Sequence, residues 1–304
     1  YFFMKDKIIH LHAPVFLIAV FFILFIINSC APSKPSLKAL SITEPEKVVS
    51  KQDSLLALSK EKRPEFVAIL STAHINIARK AEKSGDRIPL YKMTHIEARN
   101  AYLAMRESLS PPPPKVYQVK NFVINKNNAE IPARYYRGAQ HKKGHILPIT
   151  VFFHGGGWVI GDLDTHDVVC RQLANLGNFD VISVDYRMGP ENPFPAAVDD
   201  ALSSIEWVKT NKLGLPINNS KIVVCGDSAG GNLAAVCCIN SKINLGPEII
   251  YQALIYPATH MGSNYPSKSK YDGYILSKKL MQWFQEKYIP VSYTHLTLPT
   301  NREV

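Results

Sequence analysis

Residues 221–234 read KIVVCGDSAGGNLA. The first five are apolar apart from the leading lysine, short enough for a buried strand. The last seven are small and helix-compatible. Between them Gly226, Asp227, Ser228, Ala229 and Gly230 form G-x-S-x-G. By itself the pentapeptide is weak, because small residues co-occur often. Flanked by a strand and a helix it predicts a tight turn that lifts the Ser228 hydroxyl above the edge of a sheet. Glycine is wanted at both ends because backbone approaches backbone there. The helix that follows adds a field favourable to developing negative charge.

Working upstream, His154, Gly155, Gly156 and Gly157 directly follow an apolar strand, Ile149 to Phe153. Consecutive glycines leave backbone N–H groups unshielded, able to converge on one oxygen. Together with the N–H of Ala229 they compose a candidate oxyanion hole.

Around these two motifs the apolar period alternates between two and about 3.6. Strands are predicted at Val116 to Ile124, Pro132 to Arg137, Ile149 to Phe153, Val181 to Val184, Lys221 to Cys225 and Ile249 to Tyr256. Helices are predicted at Val168 to Leu176, Ala196 to Thr210 and Ser228 to Ser241. This alternation makes an α/β fold, a mostly parallel sheet with helices on both faces. Before it, residues 65–115 form a helical segment: Phe66, Leu70, Ala73 and Ile77 recur at helical steps, and Thr94 is placed to cap a helix from Ile96 to Leu109. Four prolines, Pro111 to Pro114, close that segment.

Three blocks resemble the bacterial hormone-sensitive-lipase-type esterases: HGGGWVIGDLDTHD (154–167), DYRMGPENPFPAAVDDA (185–201) and GDSAGGNLA (226–234). The segment YDGYILSKKLMQWF (271–284) fits the same pattern. The resemblance spans residues 90 to 289. It implies an α/β-hydrolase fold with an N-terminal helical cap, hydrolysis of short- to medium-chain carboxylic esters by Ser228, and an oxyanion hole from Gly156, Gly157 and Ala229, with Gly155 as a further member. No cofactor and no metal are implied. The family also needs an Asp and a His after two further strands. Neither has a counterpart, so the 116–289 region is expected to be a partial catalytic domain with its last strands missing, and the chain to be nearly inert. Asp272, His260 and His295 follow Ser228 but are rejected as partners from their places along the chain. A ligand-binding protein on the same scaffold is the alternative function.

Other polar residues have structural readings. His154 is expected to organise its loop, His166 and Asp167 to cap or buttress a helix, Asp185 to Arg187 to tie loops together, and Asp199 and Asp200 to be structural or solvated. Trp158 and Tyr256 fit either a pocket wall or the core.

The ends are set apart from the fold. Residues 1–3 precede Met4 and read as upstream read-through. From Met4, Lys5 and Lys7 precede an apolar run, Ala13 to Ile27, then Asn28, Ser29 and Cys30. This is a secretory signal, too short to span a bilayer, and Ile27 to Cys30 resembles a bacterial lipobox. Cys30 is therefore the expected lipidation site. Ala31 after it implies an outer-membrane anchor facing the periplasm, and residues 30–64 would be the tether. Residues 290–304 are set aside, because Val291 to Thr300 resembles a translated sequencing adapter.

Composition adds limits. The 35 basic and 25 acidic side chains give +10, but no basic stripe with interleaved aromatics, so nucleic acid is not an expected partner. The five cysteines show neither metal spacing nor the density of a disulfide scaffold. The expected partners are a small-molecule ester and, through the lipid, a membrane.

Overall fold

The computed structural model describes residues 88–126, 129–141, 144–211, 213–261, 265–270, 272 and 276–290. Cys30, the signal and tether, the helical pattern from Phe66 to Ile77, and His295 lie outside the described residues.

A 3₁₀ turn, Leu90–Lys92, leads into helix α1, His95–Leu109. Thr94 starts α1 as expected. Its Oγ1 accepts from the Glu97 N–H at 3.2 Å while Glu97 Oε2 accepts from the Thr94 N–H at 2.8 Å, a reciprocal cap that satisfies two otherwise orphaned donors. Strands β1, Gln118–Lys126, and β2, Ala129–Arg137, pair antiparallel as a hairpin. Then strands and helices alternate: β3, Leu147–Phe153; α2, Asp167–Leu176; β4, Asp180–Val184; α3, Ala196–Thr210; β5, Ile217–Asp227; α4, Ala229–Ile243; and β6, Ile249–Ile255. Two helices follow, α5, Pro266–Lys270, and α6, Lys278–Tyr288.

The six strands form one sheet in the order β1-β2-β4-β3-β5-β6. β4, β3, β5 and β6 run parallel, while the β1–β2 hairpin joins antiparallel through β2 and β4. Parallel strands cannot be joined by a tight turn, so each crossover carries a helix. Pleating then divides the core. Ile149, Val151 and Phe153 of β3 pack in one cluster with Ala201, Ile205 and Val208 of α3 and Leu233 and Cys237 of α4. Phe152, on the opposite face of the same strand, packs with Cys170, Leu173 and Ala174 of α2. The sheet is thus covered on both sides, which is why its central strands read as unbroken apolar runs. A third cluster sits apart: Ala98, Tyr102 and Met105 of α1 meet Leu280, Trp283 and Phe284 of α6 over Val159 and Ile160.

Chain order reverses around β3, with β4 placed on one side of it and β5 on the other. In open α/β sheets the crevice at such a switch, beyond the carboxyl ends of the strands, is where ligands bind.

Candidate active site

Register places the two sequence motifs side by side. Phe153, the last residue of β3, pairs with Gly226 of β5, so the glycine loop and the serine turn leave neighbouring strands at the same level. Their contact demands small residues. A Cβ on Gly230 would lie 1.9 Å from the Phe153 carbonyl oxygen, and one on Gly226 would lie 2.4 Å from the backbone of Gly230.

Ser228 occupies the position before α4 with φ 53° and ψ −114°. Such a conformation is costly for a residue with a side chain, on the order of 1–3 kcal/mol, and persists only where its surroundings over-determine it. Here they do. The Ser228 N–H donates to the Ile255 carbonyl at 2.9 Å, and the Ser228 carbonyl accepts from the N–H groups of Ala258 at 2.9 Å and Asn232 at 3.1 Å. Asn232 Nδ2 closes the ring by donating to the Ala258 carbonyl at 2.8 Å. The end of β6 therefore pins the bend from outside, leaving Ser228 itself partly exposed.

The glycine loop is equally constrained. Gly156 (φ +122°) and Gly157 (φ +62°) lie in the left-handed region, where L side chains are strained. A Cβ on Gly156 would strike the Ile160 carbonyl, and one on Gly157 would sit 2.3 Å from the Phe284 ring. Trp158 continues the turn at φ 59°, and the Gly156 carbonyl accepts from the N–H groups of Val159 and Ile160.

One expected donor is already engaged. The Gly155 N–H donates to Asp227 Oδ1 at 2.9 Å, so Gly155 is corrected from an oxyanion donor to an anchor between the two loops. Among the described residues, the N–H groups of Gly156, Gly157 and Ala229 have no acceptor. Asp227, adjacent to the serine, enters the sequence pattern only as part of the pentapeptide. Its role as the link was not legible from spacing, because the contact joins residues 72 apart.

Behind the loops lies a buried polar layer. His154 is fully buried; its Nδ1 lies 2.8 Å from the Gly155 carbonyl and its ring stacks on Tyr186 at 4.4 Å. Tyr186 Oη donates to the His154 carbonyl at 2.7 Å. Burial opposes charge on His154, but the Asp185 carboxylate, 3.7 Å from Nε2, acting with the Gly155 carbonyl and Asp227, raises its affinity for a proton above that of an ordinary histidine. His166 is buried as well, with Nδ1 3.0 Å from Thr165 Oγ1 and Nε2 3.4 Å from Asp227 Oδ1. It stands at the start of α2 but makes no side-chain cap, so capping is corrected for this residue: the ring lies near Asp227. Asp167 does buttress, accepting from Arg134, Tyr136 and Arg171. Arg187 grips the buried Asp200 through Nε and Nη2.

Trp158 is core, stacked on Tyr288 at 4.7 Å, while Tyr256 is 41% exposed at φ 36° just beyond β6. Asp272 accepts from the Lys278 N–H at the start of α6, beside the capping Ser277. Among the described residues no histidine is within hydrogen-bonding distance of the Ser228 hydroxyl.

Known proteins resemble this chain in sequence and fold. A family model described as alpha/beta hydrolase fold matches residues 150–300, a range that includes the adapter-like stretch. The carboxylic ester hydrolase LipN of Mycobacterium tuberculosis is 39% identical over 188 residues, covering 59% of this chain and 48% of its own. An ester hydrolase from the metagenome of Lake Arreo, solved with a derivative of bipyridine phosphonate, superposes with TM-score 0.68 at 37% identity, covering 72% of this chain and 70% of that one. An esterase of Pyrobaculum calidifontis gives TM-score 0.63 at 39% identity, covering 69% of each chain. The chain spans about half the length of the curated relatives it matches. Two parallel strands ending on a glycine loop and a strained serine, with these likenesses across the same residues, place the chain in the α/β-hydrolase fold family.

Proposed function

We propose that the whole protein is a serine carboxylic-ester hydrolase acting on short- to medium-chain acyl esters. One observation carries this reading: a serine held in a left-handed bend, partly exposed, beside three N–H groups that have no acceptor among the described residues. Ser228 Oγ attacks the ester carbonyl carbon, and its proton passes to a base that lies outside the described residues. The carbonyl oxygen, now anionic, is held by the N–H groups of Gly156, Gly157 and Ala229, at the positive end of α4. Collapse breaks the bond to the leaving alkoxide, which takes the proton. Water, deprotonated by the same base, then frees the acid from the acyl-serine. The carboxylesterase relatives support the bond type.

In the whole protein, Ser228→Ala should lower the hydrolysis of p-nitrophenyl butyrate on the order of 10⁴-fold or more. Undiminished turnover in that variant would overturn the proposal. Tight binding of acyl ligands with no turnover in the whole wild-type protein would favour the receptor-like alternative.

A further inference from the structure

We propose that Arg99 is a positioning residue of the oxyanion cradle: from α1 its guanidinium fixes the turn that presents the Gly156 and Gly157 amides. This rests on the esterase reading above.

Four N–H bonds of the one guanidinium are used. Arg99 Nε donates to the Val159 carbonyl at 2.8 Å, and Nη2 donates to the Gly189 carbonyl at 2.9 Å. Nη1 and Nη2 also fork onto the two carboxylate oxygens of Glu191 at 2.7 and 2.8 Å. The two carbonyls belong to segments already stitched together, because the Gly189 N–H donates to the Trp158 carbonyl at 2.9 Å. Val159 in turn donates its own N–H to the Gly156 carbonyl. The path from Arg99 to the glycine amides is therefore short: guanidinium, Val159 peptide, Gly156 peptide.

Geometry makes that path consequential. Residues 156, 157 and 158 all carry positive φ, so the turn is held by its surroundings rather than by local preference. The Phe284 ring of α6 lies against Gly157, and Arg99 holds Val159. A planar, charged fork can satisfy two carbonyls and a carboxylate together; an ammonium on a flexible stem cannot. A plain tether between α1 and the body would need only the Glu191 pair, whereas Arg99 also grips the Val159 and Gly189 carbonyls.

The distinction is testable on the whole protein, with no turnover required. Butylboronic acid becomes tetrahedral and anionic when the Ser228 oxygen bonds to boron, the hydroxyl proton leaving to buffer. Boron-11 NMR reads the adduct. The wild type is titrated beside Arg99→Met, Arg99→Lys and Glu191→Gln, each first shown to be folded by its melting transition. The Met and Lys variants should weaken the adduct on the order of tenfold, less than the roughly 10²-fold of deleting an oxyanion donor outright. Glu191→Gln should lose less, in the same direction. Should Arg99→Met fail to fold, the other two variants carry the comparison. Arg99→Lys binding boronate as well as the wild type would overturn the inference, since a tether alone would then suffice. A wild type that forms no adduct would overturn the esterase reading, and this inference with it.

Discussion

At Ser228 the demands of the fold and of the chemistry conflict. The φ of 53° puts the hydroxyl at the tip of the bend, but a side chain there is unfavourable. Removing the hydroxyl alone should not relieve this, because alanine keeps the Cβ. Removing the Cβ should. Ser228→Gly is therefore expected to be more stable than Ser228→Ala by about 1 kcal/mol, the released strain being partly offset by the greater freedom of glycine in the unfolded chain. Urea unfolding of the two variants checks this. Equal midpoints would mean that the bend costs nothing. The same reasoning explains how much of the site could be read in advance. Gly226, Ser228 and Gly230 announce a strand-to-helix bend because their spacing is local. The reassignment of Gly155 to Asp227 is not local, and nothing in residues 154–157 tells which of three equivalent amides a carboxylate 72 residues later will take.

At the scale of elements, the strands and helices were largely legible. The apolar runs at β3, β4 and β5 and the helical runs at α2, α3 and α4 fall within a few residues of expectation. They do so because each strand is buried on both faces and each helix on one, so burial writes itself into the pattern. β5 is longer than expected, beginning at Ile217 rather than Lys221. After Ile217 come Asn218, Asn219 and Ser220, which carry no strand signal, yet Ile217 and Asn218 pair with Leu147 and Pro148 of β3. The docking of α1 was not legible either, since Arg99 looks like any exposed helix cation until Val159, Gly189 and Glu191 are placed around it. That docking has a signature in acid. Hydrogen bonds from Arg99 hold the Glu191 carboxyl at about 2, against an ordinary value of 4.5. A carboxyl depressed by folding stabilises the native state above its unfolded value and loses that contribution as pH falls through its folded value. The melting temperature of the wild type should therefore exceed that of Glu191→Gln above about pH 5, and the margin should shrink between roughly pH 4.5 and 2. A margin independent of pH would show that the carboxylate charge contributes nothing to the clasp.

At the scale of the molecule, the site is assembled from widely separated parts. The serine turn and the start of the glycine loop rest on adjacent strands of one sheet. The presenting turn at Gly156 and Gly157 is braced by α1 near one end of the described chain and α6 near the other. These braces meet in a cluster separate from the main core. Of the three tryptophans, Trp207 stacks on Phe122 against the sheet at 5.0 Å, Trp283 lies in the bracing cluster, and Trp158 bridges to Tyr288.

The consequence is one of timing. Contacts that close long loops must first overcome the entropy of closure, so structure dominated by them tends to arrive late and open early. A refolding chain should then possess its nucleophile before the receptacle for charge is set, and lose the receptacle first on heating. With phenylalanine at the other two tryptophan positions, the fluorescence of Trp207 should reach its native value before that of Trp283 in stopped-flow refolding. Simultaneous recovery of both would mean that scaffold and brace fold as one unit. If the order holds, competence is the final property this molecule acquires, and a chain can be well folded by most measures while its serine has nowhere to send the electrons it would displace.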